Sequence, residues 1–266
     1  MRLRIPDWLV YVLILGGIYM WARSGERVTA PPISQETLGD VLPEISPRDE
    51  EVLVDIGAPE SGSGTAFPID RRGTWMTARH VVDGCEDVGL RAGRNEAVIV
   101  DDVRIDEAAD LAILDTRWRR PPLPSDIRGQ KRIGQRGYFF GYPQGRPGEV
   151  AGSLLGRGRL RVRGRYKTEE PVFAWAEVGR TRGLRGSLGG LSGAPALDGD
   201  GEIIGVVAAE NPRRGRIYTV APISLADEFT DPREAPEPIR DAAYGTQADR
   251  YRRERRIVQV LCRVEG

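Results

Sequence analysis

One histidine, His80, occurs among the 266 residues. That scarcity excludes a histidine-built metal centre and leaves a single imidazole for any general base. The two cysteines, Cys85 and Cys262, are too few for a four-thiolate zinc site and lie 177 positions apart (262 minus 85), so they form no CxxC redox pair. One disulfide or two free thiols remain, the disulfide requiring an oxidising compartment. Net charge is lacking as well: 39 Lys+Arg offset 39 Asp+Glu, and no global field draws the protein to nucleic acid or another polyanion. Gly (33) and Pro (19) are abundant, a composition that favours frequent turns and short strands over long helices.

Only one segment is apolar enough for a membrane, WLVYVLILGGIYMWA from Trp8 to Ala22. At about 1.5 Å per residue it spans about 22 Å as a helix, short of a hydrocarbon core of about 30 Å. Trp8, Tyr11, Tyr19 and Trp21 near its ends suit interfacial aromatics and favour an anchor over residues 1–23. A signal peptide cut near Ala22-Arg23-Ser24 is the alternative. The short N-terminus favours an N-in orientation with the remaining chain extracytoplasmic, in a bacterial envelope the periplasm.

Residues 24–50, rich in Pro, Ser and acids, are expected to be a flexible linker. From 51 to 229 the pattern changes to short apolar runs divided by turn signals, among them VLVDIG, TAFPI, TWMTA, LAIL, GYFFGYP, PVFAWAEV and EIIGVV, which is strand spacing. Asp198-Gly199-Asp200-Gly201 is a tight hairpin signal. Punctuated strands of this kind predict an all-β sandwich or barrels. Residues 230–266 read as a C-terminal tail whose arginines, balanced by acids, lie on a solvated face.

His80 sits in TWMTARHVVDG, where a strand hands over to a short helical turn. A lone histidine is more often structural than catalytic, so it needs partners. Ser192, in SLGGLSGAPALDG, is flanked by Gly189, Gly190 and Gly193, and such backbone can aim peptide N–H groups at one point beside the hydroxyl. Gly190 and Ser192 would be the oxyanion donors. A plain glycine-rich turn is the bland reading. An α/β-hydrolase elbow is excluded by order, because no histidine follows Ser192. The carboxylate best placed to orient the imidazole is Asp110, which opens LAIL, whereas Asp106 and Asp115 read as solvent-facing turn residues. His80, Asp110 and Ser192 then follow in the order of one known nucleophilic triad.

With these residues in hand, the sequence resembles trypsin-like serine proteases of the chymotrypsin fold, most of all the bacterial HtrA (Deg) branch. The matching motifs are Gly62-Ser63-Gly64-Thr65-Ala66-Phe67, Thr77-Ala78-Arg79-His80-Val81-Val82, Asp110-Leu111-Ala112-Ile113-Leu114, Gly141-Tyr142-Pro143-Gln144-Gly145 and Gly190-Leu191-Ser192-Gly193-Ala194-Pro195, covering about 51–229. The resemblance implies two six-stranded antiparallel barrels with the triad between them, a protein or peptide substrate, and no metal or other cofactor. It also implies acyl transfer, with Ser192 as nucleophile, His80 as base and Asp110 as its orienting acid. The substrate pocket is expected from Gly186 and Ser187 and from the strand Val207, Ala208, Ala209 and Glu210, with no buried acid six residues before Ser192 and a preference for small or medium apolar side chains. Leu191 and Ala194 depart from the family pattern, and a catalytically impaired binding or regulatory module is the rival reading. Arg79 is an unusual neighbour for His80 and is expected to point away from the triad. With 37 residues after Phe229 (266 minus 229), no PDZ-sized segment is expected.

Overall fold

Short β-branched and aromatic runs between turns pair into two seven-stranded sheets in the computed structural model, which describes residues 38–225, 228–229 and 235–265. The first sheet runs β5 (Ala97–Ile99), β4 (Asp87–Arg91), β14 (Val258–Arg263), β2 (Gly62–Pro68), β3 (Thr74–Thr77), β7 (Ala112–Asp115) and β6 (Asp102–Ile105). Its two edges, β5 and β6, are separated in sequence by residues 100 and 101 alone. Flat, seven strands would hold their edges about 29 Å apart. Three peptide steps reach at most about 11 Å, so the sheet must curl until its edges meet. The link bonds both sides of the curl: Val100 N–H donates to Val88 O (3.0 Å) and Asp101 N–H to Asp115 O (2.8 Å).

The second sheet runs β1 (Glu50–Ile56), β9 (Gly148–Gly164), β10 (Thr168–Arg180), β13 (Arg216–Val220), β12 (Ile203–Asn211), β11 (Pro195–Leu197) and β8 (Arg136–Gly141). β8 pairs back onto β9, closing six strands on themselves, and β1 adds in parallel outside that ring. The expected count of six antiparallel strands per half therefore differs by one in each sheet, through the split β5/β6 run in the first and parallel β1 in the second. The hairpin at Asp198 forms as its residues require, with Asp198 N–H bonded to Glu202 O (3.0 Å).

Each curled sheet has its own apolar filling. Trp75, Leu90, Leu114 and Val260 pack within the first. Phe139, Phe173, Trp175 and Ile204 pack within the second. A third cluster takes Phe67, Met76 and Leu111 from the first half and Phe140, Tyr166 and Val172 from the second, and so cements the halves together.

Two segments placed outside the domain by sequence reasoning belong to it. The described part of the expected linker straps onto the second sheet, with Gly39 N–H on Ile133 O and Leu42 N–H on Lys131 O, each 2.8 Å. Leu42 is 6% exposed among Phe139 and Trp175, and its burial, worth about 1.5–3 kcal/mol, anchors the strap. The expected tail is core. In the helix Tyr244–Arg253, Tyr244, Ala248 and Tyr251 lie on one buried face, and Arg252 pairs with the buried Glu149 at 2.8 Å. β14 then inserts between β2 and β4, its Val258, Val260 and Cys262 alternating inward. A disulfide joins Cys262 to Cys85, just after the one-turn helix Arg79–Val82. No helix among the described residues is long and apolar enough to cross a membrane, and the expected anchor at 8–22 lies outside them.

Candidate active site

The chain leaves β3 at Thr77 and enters the helix Arg79–Val82, which presents a half-buried His80. Asp110, 2% exposed, stands just before β7. Its Oδ2 lies 2.7 Å from His80 Nδ1, and its Oδ1 accepts the His80 backbone N–H at 3.0 Å. This double contact fixes the ring and directs its other nitrogen away from Asp110. Burial pushes the His80 pKa down, but the Asp110 charge and hydrogen bond outweigh it, and the net shift is upward although Arg165 opposes it. Asp106 caps the turn at Ala108 and Ala109, and Asp115 pairs with Arg104, so neither competes for the imidazole.

Asp110 has two further neighbours that sequence reasoning missed. Tyr166 OH donates to Asp110 Oδ1 at 3.0 Å, and the Asp110 N–H donates to Glu170 Oε1 at 2.7 Å. Glu170 is 3% exposed, and burial first, then the Asp110 charge, raise its pKa well above the carboxylate range. It keeps its proton where an ordinary glutamate has lost it.

Ser192 lies in the turn between β10 and β11. Its carbonyl accepts Thr65 N–H (2.9 Å) from β2, and Gly193 N–H donates to Val207 O (2.8 Å) on β12. Gly64 is wedged between that carbonyl and Val81, the residue after His80, so Ser192 faces the histidine-bearing segment across one glycine. Ser192 Oγ and His80 make no hydrogen bond in this structure, a separation that unliganded sites often close when substrate arrives.

The peptide groups before Ser192 are oriented from both ends. Gly189 O accepts Gln144 N–H (2.5 Å), which turns the N–H of Gly190 to the opposite side of that planar peptide. Gly190 O accepts Thr65 Oγ1 (2.8 Å), and Gly190 itself has φ +92°, open to glycine. Among the described residues, neither Gly190 N–H nor Ser192 N–H has a partner. Gln144 also donates through Nε2 to Arg185 O (2.6 Å) and Ser187 O (2.8 Å), clamping the loop. Its place in the GYPQG turn was the available signal; Tyr166 and Glu170 gave none. Leu191 and Ala194 are buried in the apolar cluster of the second sheet, so these departures from the family pattern do not fill the space beside the free N–H groups.

A cavity of about 30 Å³ lies beside Ser192. Of the residues proposed from sequence for a substrate pocket, Val207 and Ala209 line this cavity and Gly186, Ser187 and Ala208 do not. Ala208 falls in the bulge between Val207 and Ala209 and packs into the inter-sheet core instead. Leu188, Gly189, Leu191 and Ile217 complete the wall, together with Glu210 at the end of the expected strand, which accepts Leu188 N–H at 2.8 Å. A second cavity, about 210 Å³, opens beside His80. Asp126, Asp198 and Glu202 are the only described carboxylate cluster with metal-like spacing, and Lys131 already pairs with Asp126 there.

Residues 62–206 match the trypsin-like peptidase domain. The chain belongs to that family. This trypsin-like peptidase domain is 28% identical over 211 residues to the putative serine protease HhoA of Synechocystis sp., covering 77% of this chain and 49% of that protein. It is 25% identical over 165 residues to Protease Do-like 1, chloroplastic, of Arabidopsis thaliana, covering 61% of this chain and 36% of that protein. The chain spans less than half the length of the curated relatives it matches. In fold it is similar to the active form of the Rv3671c protease from M. tuberculosis, with a TM-score of 0.53, 22% identity, and coverage of 68% of this chain and 78% of that one. The trypsin-like peptidase domain thus has a mostly-β, chymotrypsin-like fold.

Proposed function

We propose that the domain is a serine endopeptidase, its two curled sheets forming the two barrels of the double-barrel fold, with the reaction in the cleft between them. The observation that carries this reading is the His80–Asp110 pair at 2.7 Å, next to a serine flanked by two unpartnered N–H groups. In this mechanism Ser192 Oγ attacks the peptide carbonyl while His80 Nε2 takes its proton. The oxyanion moves between the Gly190 and Ser192 N–H groups, each worth about 2.7–4 kcal/mol at the transition state. Asp110 stabilises the imidazolium, which protonates the departing amine, and water then releases the acyl group by the same steps.

The cavity beside Ser192 takes the side chain preceding the cut, and about 30 Å³ suits a small one. The leaving side passes over His80 and its larger cavity. The Cys85–Cys262 disulfide supports an oxidising, extracytoplasmic compartment. With the apolar run at 8–22, that location is consistent with a tethered periplasmic enzyme.

A fluorophosphonate probe tests the assignment. The folded chain is labelled at Ser192, while Ser192→Ala and heat-denatured protein are not, and Ser192→Ala melts at the same temperature. Failure of the folded chain to label refutes the enzyme reading.

A further inference from the structure

The second sheet reaches across the cleft to hold an acid that belongs to the first. Tyr166 sits between β9 and β10, in the turn of the longest hairpin, and Glu170 follows on β10. β1 pins this hairpin near its tip: Ile56 pairs with Gly164, and Arg165 N–H donates to Ile56 O at 3.1 Å. The Tyr166 ring is also covered. The Arg79 guanidinium lies 3.8 Å from the ring centroid, while its Nη1 donates to Asp106 O (3.1 Å) and its Nε pairs with Asp83 (3.3 Å). Arg79, expected to point away from the triad, thus reaches it through one aromatic ring.

We propose that Tyr166, held by Arg79, is a positioning residue of the catalytic pair, its hydroxyl setting the orientation and the available charge of Asp110 and through it of His80. The proposal rests on the serine peptidase reading above. Asp110 Oδ1 receives two donors, His80 N–H and Tyr166 O–H, which leaves Oδ2 for the imidazole. Without the phenol, one donor is lost, Asp110 can swing about its side-chain torsions, and more of its negative charge is felt by His80. Among the described residues, the groups facing this carboxylate are His80 from the one-turn helix, Tyr166 from the hairpin turn and Glu170 from β10, with Asp106 beside Glu170 and Arg79, Arg165 and Asp83 around the Tyr166 ring.

Tyr166→Phe keeps the ring, its packing and its guanidinium neighbour while removing only the hydroxyl. A hydrogen bond to a charged group of this kind converts to a loss of about tenfold or more in kcat, with KM little changed. The acid limb of the rate profile moves to higher pH, because an imidazolium facing a less satisfied carboxylate holds its proton more tightly. Since His80 is the only histidine, its ring resonances give a second readout that needs no turnover. In a Ser192→Ala background, the NMR titration midpoint of His80 rises when Tyr166→Phe is added, and the melting temperatures of both proteins show that each is folded. A His80 midpoint and a kcat that do not move overturn the proposal. Absence of Ser192 labelling in the unmodified chain, with the midpoint still moving, overturns the peptidase reading and leaves the Tyr166–Asp110 coupling standing.

Discussion

Gly64→Ala should disable the enzyme while leaving the fold in place. A Cβ at this position would stand 2.6 and 2.7 Å from the two methyls of Val81 and 3.0 Å from Ser192 O. Ordinary carbon contacts are about 3.5–4.0 Å, so roughly 1 Å of separation has to be found. Turning Val81 does not supply it. Its two methyls occupy two of three staggered positions, and both now face Gly64, so any other rotamer keeps one of them there. What yields is backbone, either the helix bearing His80 or the Ser192 carbonyl, and the two reacting side chains part. A misplacement of about 1 Å costs about 10²-fold in turnover, whereas overpacking at one site costs about 1–3 kcal/mol of stability. Steady-state hydrolysis and a denaturant melt of the same preparation separate the two effects. Gly62→Ala is the control, because the nearest atom to its added Cβ is Glu60 O at 3.8 Å. Near-native kcat in Gly64→Ala, or an equal loss in Gly62→Ala, would show that the wedge between histidine and serine is not where the argument puts it.

The raised pKa of His80 sets the acid limb of kcat/KM above the ordinary histidine value of about 6.5, so activity falls as pH drops through it. Arg165→Gln removes the cation that opposes this rise and moves the limb further up, and a downward move in a pH-rate profile would refute the electrostatic account. By linkage, the same raised pKa adds stability that is complete below about pH 6.5 and fades as pH climbs through the folded-state value. Replacing Cys85 and Cys262 together by serine should cost about 2–5 kcal/mol in a denaturant titration, and unchanged stability would mean that the bridge constrains nothing in the unfolded chain. Peptides with Ala before the cut should exceed those with Phe by at least about 10²-fold in kcat/KM, and a reversed order would require the cavity beside Ser192 to open on binding.

The residues of the proposed active site were legible because the proposed chemistry restricts residue type and order. His80 was identified by scarcity, Ser192 by its glycines and Asp110 by opening an apolar run, and the latter two now flank or touch the first. Strands with continuous apolar runs, such as β7 and β8, were equally plain, since both of their faces are buried. β9 was not. Its first five residues are buried but include Gly148, Glu149 and Gly152, and from Arg157 to Arg163 arginines alternate with buried Gly158, Leu160 and Val162, so its 17 residues carry no sustained apolar run. β14 is hidden for a related reason: the arginines at 252, 253, 255 and 256 give the segment before it the pattern of a solvated face, and the alternation of Val258, Val260 and Cys262 that follows is short. Val207 and Ala209 share the face of β12 that lines the cavity beside Ser192, while Ala208 between them turns into the inter-sheet core, so a run of three neighbours could not all line one cavity. Tyr166 and Glu170 act across the interface of two sheets, a relation that no local window of sequence contains.

The position of β14 also bears on the order of assembly. It lies between β2 and β4, so the half that carries His80 and Asp110 lacks an interior strand until residues 258–263 are available, although every other strand of both sheets precedes β13 or is β13 itself. A chain emerging in sequence can therefore close the Ser192-bearing half first and leaves the histidine half open until residues 258–263 have emerged. His80 and Asp110 emerge before Ser192, yet the sheet that holds them is complete only once β14 has joined it.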